Sequence, residues 1–204
     1  MTNSNNYIAA AVSPCIATEI PESPPADSED AVLAVKHEIQ TERLYMRAIN
    51  ESDKPDFIEI FSCGAVMRFV GLEAGCIPSY EEIDQMHKLA IQAWDARGYG
   101  RWSMFDLKTG EYIGFCGFRC EEGLPDLICA MHEKFWGQEL ACEAAKACVK
   151  YGFEKLGFTE VKAYTRPEHN RARRVVEKLG SEFLGKVDFH GVEGVAYHIT
   201  KLPD

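Results

Sequence analysis

AMHEKFWGQELACEAA, residues 130–145, is the stretch that decides the fold. A short apolar strand, Asp126 to His132, ends inside it. A tight turn follows through Glu133 to Gly137. An amphipathic helix then runs from Gln138 to Leu156, with Leu140, Ala141, Ala144, Ala145, Cys148, Val149 and Leu156 on its apolar side. The start of a helix carries unpaired backbone N–H groups and the positive end of the helix dipole, a combination that suits a phosphate. No Ser, Thr, Asp or Asn stands near Gly137 to cap this start from within, so its N–H groups are left for an external anion.

Outward from this turn the chain alternates strands and helices. Toward the C-terminus, Thr159 to Thr165 reads as a strand. Glu168 to Leu179 reads as a helix, with Ala172, Val175, Val176 and Leu179 on one face and Gly180 closing it. Two strands follow, Phe183–Phe189 and Val195–Lys201, joined by a turn near His190-Gly191. Toward the N-terminus, Arg101–Asp106 and Glu111–Arg119 form a hairpin around Lys108-Thr-Gly110. Ser79-Tyr-Glu-Glu82 is a capping box, opening a helix from Tyr80 to Ala96 that stops before Gly98. Pro55 sits in the first turn of another helix through Phe57, Ile58, Ile60 and Phe61, where its missing N–H does no harm. Thr41 to Ile49 alternates Leu44, Met46 and Ala48 against Arg43, Tyr45 and Arg47, the pattern of a half-buried strand. The order β-α-α-β-β-β-α-β-α-β-β predicts an α/β fold, a mixed central sheet with helices on both faces. No internal repeat is visible.

Composition bounds the function classes. At 204 residues one domain is expected, residues 37–204. Residues 1–36 read differently: Pro14, Pro21, Pro24 and Pro25 stand among acids with almost no basic partners. Such a segment buries too little apolar surface to offset ordering, and a disordered tail is expected. A net charge of −10 argues against a nucleic-acid surface. No apolar run is long enough to span a bilayer, and no secretory or transit signal is visible, so the expected setting is the cytoplasm. The eight cysteines have irregular spacing, which suits free thiols in a reducing compartment. Cys116, Cys120, Cys129 and His132 invite a zinc reading, but the spacing matches no familiar ligand pattern, and on a strand Cys129 and His132 point to opposite faces. No metal is expected.

Several blocks, in order, resemble the GNAT superfamily of N-acetyltransferases, especially the branch of bacterial ribosomal-protein N-terminal acetyltransferases. Thr41-Glu-Arg-Leu44 with Arg47 resembles the first strand of that family. Ala65-Val-Met-Arg-Phe-Val-Gly71 resembles the loop after its first helix, and Gly114-Phe-Cys-Gly-Phe118 its third strand. Phe135-Trp-Gly-Gln138 with Ala141-Cys-Glu-Ala-Ala145 resembles its coenzyme A turn and helix. Pro167-Glu-His-Asn170 with Val175-Val-Glu-Lys-Leu-Gly180 resembles its last helix. The resemblance covers about Ile39 to Leu202. It implies acetyl-CoA as co-substrate. Backbone N–H groups of Gly137, Gln138, Glu139, Leu140, Ala141 and Cys142 would cradle the pyrophosphate. The strand edge at Ala130, Met131 and His132 would pair with the pantetheine arm, and Asn170 would hydrogen-bond it. An amine would attack the thioester directly in a ternary complex.

Two positions depart from the family pattern. Glu139 stands where the family turn has glycine; its carboxylate either repels phosphate or projects to solvent while the backbone still binds. Arg173 stands where the family has a Ser near the departing thiolate. With Arg171 and Arg174 it either reaches a coenzyme A phosphate or forms a solvated helix face. His132, Glu133 and Tyr164 are the candidate proton carriers, each with a plainer reading as a turn residue or a packed ring. The expected partners are acetyl-CoA and an amine acceptor, a protein N-terminus or a small molecule, with cationic acceptors favoured by the acidic chain. Nucleic acid and membrane are not expected, and both monomer and homodimer stay open. The alternative is the same fold with a damaged turn, serving as a coenzyme A-binding or protein-interaction module without catalysis.

Overall fold

The computed structural model describes residues 37–70, 76–121 and 123–203. The expected tail, residues 1–36, lies outside the described residues, as does part of the segment between the first helices. Eight strands form one sheet: β1 (Glu38–Gln40), β2 (Leu44–Ala48), β3 (Arg101–Asp106), β4 (Tyr112–Glu121), β5 (Leu124–Met131), β6 (Val161–Thr165), β7 (Glu182–Phe189) and β8 (Val192–Ile199), in the order β1-β2-β3-β4-β5-β6-β8-β7. Among the described residues five helices accompany it: α1 (Lys54–Ser62), α2 (Gly64–Val70), α3 (Tyr80–Arg97), α4 (Leu140–Lys155) and α5 (Asn170–Lys178). The expected mixed sheet with helices on both faces is present. The structure adds the short edge strand β1, and residues 65–70, expected as a loop after the first helix, belong to helix α2.

Local chemistry explains the elements. Leu44 and Met46 point into the core and are fully buried, as the alternation of β2 requires. Asn50 and Asp53 make a capping box just ahead of α1, and Pro55 occupies its first turn. In α3, the Ser79 hydroxyl accepts from the Glu82 N–H at 3.2 Å, and the Glu82 carboxylate accepts from the Ser79 N–H at 2.7 Å. Neighbouring residues of β4 show how the two helical layers are divided. Phe115 stacks on Phe57 and Phe61 of α1, with ring centroids 5.3 and 5.8 Å away. Phe118 turns to the opposite face and packs edge-on against Phe158, just beyond α4. Ala144, Ala145, Cys148 and Val149 of α4 are fully buried.

Strands β4 and β5 pair antiparallel along all of β5, from Gly114 opposite Met131 to Glu121 opposite Leu124. The next pair, β5 with β6, is parallel and is registered at a single point, Asp126 opposite Lys162. Beyond Asp126 the two strands separate, and the edge of β5 from Leu127 to Met131 is left beside a gap.

Candidate functional site

The gap between β5 and β6 opens into a cleft of about 540 Å³. Its walls come from β5, the turn before α4, the first turns of α4, the flank of α5, helix α2 and the β7–β8 hairpin. The turn is shaped by two residues with positive φ, Gly137 at +77° and Glu139 at +63°. Glu139 occupies the N-cap position of α4 and makes no side-chain cap. Its carbonyl takes the N–H groups of Cys142 and Glu143, both at 3.1 Å. The N–H groups of Leu140 and Ala141 find no acceptor among the described residues. Two donors therefore stand free where a sixteen-residue helix begins, at the wall of the cleft.

The turn is held from several sides. Trp136 donates its indole N–H to the Met131 carbonyl at 3.1 Å. Gln138 donates its side-chain amide to the Lys134 carbonyl at 3.1 Å. Arg43, from the start of β2, donates to the Gln138 carbonyl at 2.9 Å. Across the cleft the Arg171 guanidinium lies 4.4 Å from the centroid of the Trp136 ring, and Lys178 meets the Glu139 carboxylate at 2.5 Å.

Of the residues singled out in the sequence, Ala130, Met131, Gly137, Glu139, Leu140, Ala141, Cys142 and Tyr164 line this cleft. Cys142 brings its side chain but not its backbone donor, which is spent on Glu139. His132 does not line it. The His132 N–H bonds to the Ile113 carbonyl, and its ring turns toward α1, with Nδ1 3.7 Å from Glu59 and the Tyr112 ring edge-on at 6.0 Å. There it forms a group with Asp56 and Glu59 whose ligating atoms lie within 4.8 Å of one another. Glu133 lies exposed in a 3-10 turn, Glu133–Phe135, and Gln138 is also outside the lining. Cys116 and Cys129 face each other across β4 and β5, on the opposite side of the sheet from His132, so these residues do not converge on one metal.

The last helix differs most from the sequence reading. Asn170 is exposed and outside the lining, and Arg173 turns away from the cleft. Arg173 donates Nε to the Tyr197 hydroxyl at 2.9 Å and Nη1 to the Pro167 carbonyl at 3.3 Å. The residues of α5 and its cap that line the cleft are His169, Arg171, Ala172, Arg174, Val175, Val176 and Lys178. The physical reason is helical register. Ala172, Val175, Val176 and Leu179 define the inward face, and counting back one turn from Ala172 reaches His169, not Asn170. That signal was present in the stripe itself.

His169 is the main residue the sequence reading missed. Its ring stacks on Phe69 of α2 at 4.1 Å, with an interplanar angle of 12°. Burial first, and the Arg171 guanidinium second, push its imidazole down to about 4. It is a neutral ring at neutral pH, joining α2 to the start of α5 over the cleft. Tyr164 stacks on Phe189 at 4.6 Å, and the Arg119 guanidinium lies 4.9 Å from the same Phe189 ring. Arg119 is itself held by buried Asp126 at 2.5 Å, at the point where the strands part. Long-range contacts of this kind leave no local trace in a sequence.

Residues 43–182 match the Acetyltransferase (GNAT) domain family. The Bacillus subtilis protein YkkB is 28% identical over 159 residues, covering 72% of this chain and 87% of its own length. A second Bacillus subtilis protein, the uncharacterized N-acetyltransferase YoaA, is 27% identical over 151 residues, covering 72% of this chain and 84% of its own. Among solved structures, the ribosomal L7/L12 alpha-N-protein acetyltransferase RimL in complex with coenzyme A superposes with a TM-score of 0.69 at 17% identity, over 80% of this chain and 98% of its own.

Proposed function

The chain belongs to the GNAT acetyltransferase family, and from that premise we propose that it transfers the acetyl group of acetyl-CoA to a primary amine by direct attack within the cleft between β5 and β6. One observation carries this reading: the parted strand edge and the free N–H groups of Leu140 and Ala141 face the same cleft. A phosphate fits at the helix start, and an extended chain fits along the edge from Leu127 to Met131 as an added strand does. The related RimL, which acts on a protein N-terminus, is solved with coenzyme A bound, and this supports the same donor here.

The acceptor enters from the side of α2 and the β7–β8 hairpin, between Phe69 and Phe189. Attack of the amine nitrogen on the thioester carbon forms the amide and expels the thiolate. The amine gives up a proton and the thiolate takes one. Tyr164, His169 and Glu193 are titratable side chains of the cleft placed near this end; a phenol suits donation to a thiolate and a carboxylate suits acceptance, whereas burial and Arg171, which hold His169 near 4, make its imidazole a weak acceptor. Holding both reactants in one geometry supplies most of the acceleration. Arg173, which stands where the family has a Ser, turns to Tyr197 and Pro167, so this position offers the thiolate no hydroxyl. A chain with this net charge favours a positively charged acceptor, a peptide N-terminus or a small amine.

The test is thermal unfolding with acetyl-CoA in excess, followed by thiol release with a panel of amines. At ~100 times its dissociation constant a ligand adds about 2.7 kcal/mol, a shift of a few degrees for a domain of this size. Stabilisation by acetyl-CoA but not by pantetheine lacking phosphates, and thiol release with at least one amine, is the expected result. No stabilisation at millimolar acetyl-CoA overturns the donor. Stabilisation without turnover on any amine leaves the chain as a coenzyme A-binding module.

A further inference from the structure

We propose that Lys178 is a phosphate ligand of the bound coenzyme A, with Arg171 and Arg174 beside it, and that Glu139 is a placeholder carboxylate holding Lys178 across the cleft until the phosphates displace it. This rests on the acetyl-CoA reading above and assigns the residues that set its affinity.

The cations are arranged for this. Arg171, Arg174 and Lys178 are spaced by three and four residues, so they share one flank of α5, and all three line the cleft. The fourth cation of the helix, Arg173, is directed elsewhere, onto Tyr197 and Pro167. The flank faces the start of α4, where Leu140 and Ala141 keep free N–H groups. Three positive side chains on one wall and a helix N-terminus on the other make a strongly positive mouth on a chain whose net charge is −10.

In that mouth stands one carboxylate. Glu139 adopts φ +63°, a conformation that glycine enters freely and an L side chain resists. Its carboxylate reaches Lys178 at 2.5 Å, and it also sits at the positive end of α4. Both attractions are the ones a pyrophosphate would use. The Lys178 and Glu139 side chains are about half and two-thirds exposed, so the pair is weak and exchanges readily. A phosphate brings more charge and more acceptor oxygens than a carboxylate. It takes Lys178 and sends Glu139 to solvent. Glu139 is thus a competitor built into the turn: it lowers affinity for coenzyme A without touching the thioester end.

The experiment is equilibrium binding to the full chain of coenzyme A, 3′-dephospho-coenzyme A and pantetheine, using wild type, Glu139→Gln, Lys178→Met and the double variant. Lys178→Met is expected to weaken coenzyme A about tenfold and leave pantetheine unchanged. Glu139→Gln is expected to tighten coenzyme A several-fold, an effect that shrinks once Lys178 is also replaced. If the Lys178 effect disappears with 3′-dephospho-coenzyme A, its partner is the 3′-phosphate; if it persists, the pyrophosphate. Unchanged coenzyme A affinity in Lys178→Met, equal weakening of pantetheine, or weaker binding in Glu139→Gln overturns the proposal while the acetyl-CoA reading stands. Failure of both wild type and Glu139→Gln to bind coenzyme A overturns that reading and this one together.

Discussion

Arg43 and Glu143 join the start of β2 to helix α4 through a clustered contact. Arg43 donates Nε to Glu143 Oε2 at 2.7 Å, and its Nη2 lies 2.6 Å from the same oxygen. The Arg43 backbone N–H and the Thr41 hydroxyl both donate to Oε1, at 2.9 and 2.5 Å. Arg43 also reaches the Gln138 carbonyl, so one side chain sets both α4 and the turn before it. Arg43→Ala should therefore act on binding as well as stability. Because Arg43 is partly exposed, the expected loss of stability is modest, ~1–2 kcal/mol. The KM for acetyl-CoA should rise several-fold while kcat changes less. Burial alone would raise the Glu143 carboxyl, but the bonds from Thr41 and Arg43 outweigh it and hold the group below its usual value. This stabilisation is complete above the unfolded carboxylate pKa, about 4.3, and is lost as pH falls through the lower folded value. Melting curves and steady-state kinetics of the variant check both halves.

Asp53 anchors α1 to the sheet. It is 2% exposed and accepts from Arg47 twice, at 2.8 and 2.6 Å, from the Ser103 hydroxyl at 2.6 Å, and from the Asn50 N–H at 2.9 Å. Asp53→Ala leaves a guanidinium and a buried hydroxyl without their partner. The expected cost is ~3–5 kcal/mol, against ~1 kcal/mol for Ser103→Ala. Urea unfolding of the two variants measures the difference. Equal small losses would mean that water replaces the carboxylate.

Which parts of this architecture could be read in the sequence follows from how local each signal is. The alternation of Leu44 and Met46, the Ser79–Glu82 capping box and the apolar face of α4 are contained within a few residues, and each element appears where it was expected. Strand β1 is three residues long, too short to show an alternation. Helix α2 is seven residues and follows directly on Cys63, so its apolar residues read as loop. Leu44 to Ala48 was legible as a strand, while Thr41 to Arg43, expected in the same strand, form the bend before it, and the work of Arg43, whose partner lies a hundred residues away, was not legible. In α5 two signals competed. The motif drew attention to Asn170 and Arg173, while the stripe through Ala172 and Val176 pointed to His169, and packing follows the stripe. His132 was expected at the end of this strand near the chemistry, but it follows β5 directly, and its ring turns to α1.

His169 makes stability depend on pH in a defined direction. Its folded value, about 4, lies below the ordinary unfolded value of about 6.5. Between these values the unfolded chain takes up a proton that the folded chain refuses, so stability falls as pH falls from 6.5 toward 4. His169→Phe keeps a flat ring against Phe69 and removes the titration. Its melting temperature should fall less steeply than that of wild type over this window. His37 and His87 are also lowered by burial, and they contribute equally to both proteins. Parallel curves for the two proteins would show that His169 titrates alike in the folded and unfolded states.

Gly114 sits where β4 passes closest to the strand edge that lines the cleft. A Cβ placed on Gly114 would lie 2.2 Å from the Ala130 carbonyl oxygen and 2.7 Å from the Met131 Cα, both backbone atoms that cannot swing aside. Gly114→Ala must therefore push β5 away from β4, and the part displaced is the edge facing the cleft. We expect a loss of ~2–4 kcal/mol in stability, with weakened acetyl-CoA binding in whatever protein still folds. Gly64→Ala is the matched control: its added methyl meets nothing within 4 Å, and it lies in the helical backbone of α2. That change should be neutral or slightly stabilising, since alanine favours helix over glycine. Chemical denaturation of both variants, with acetyl-CoA titrated into the folded fraction, separates the two cases. A Gly114→Ala protein as stable as wild type, binding acetyl-CoA normally, would show that β5 can shift without disturbing the site.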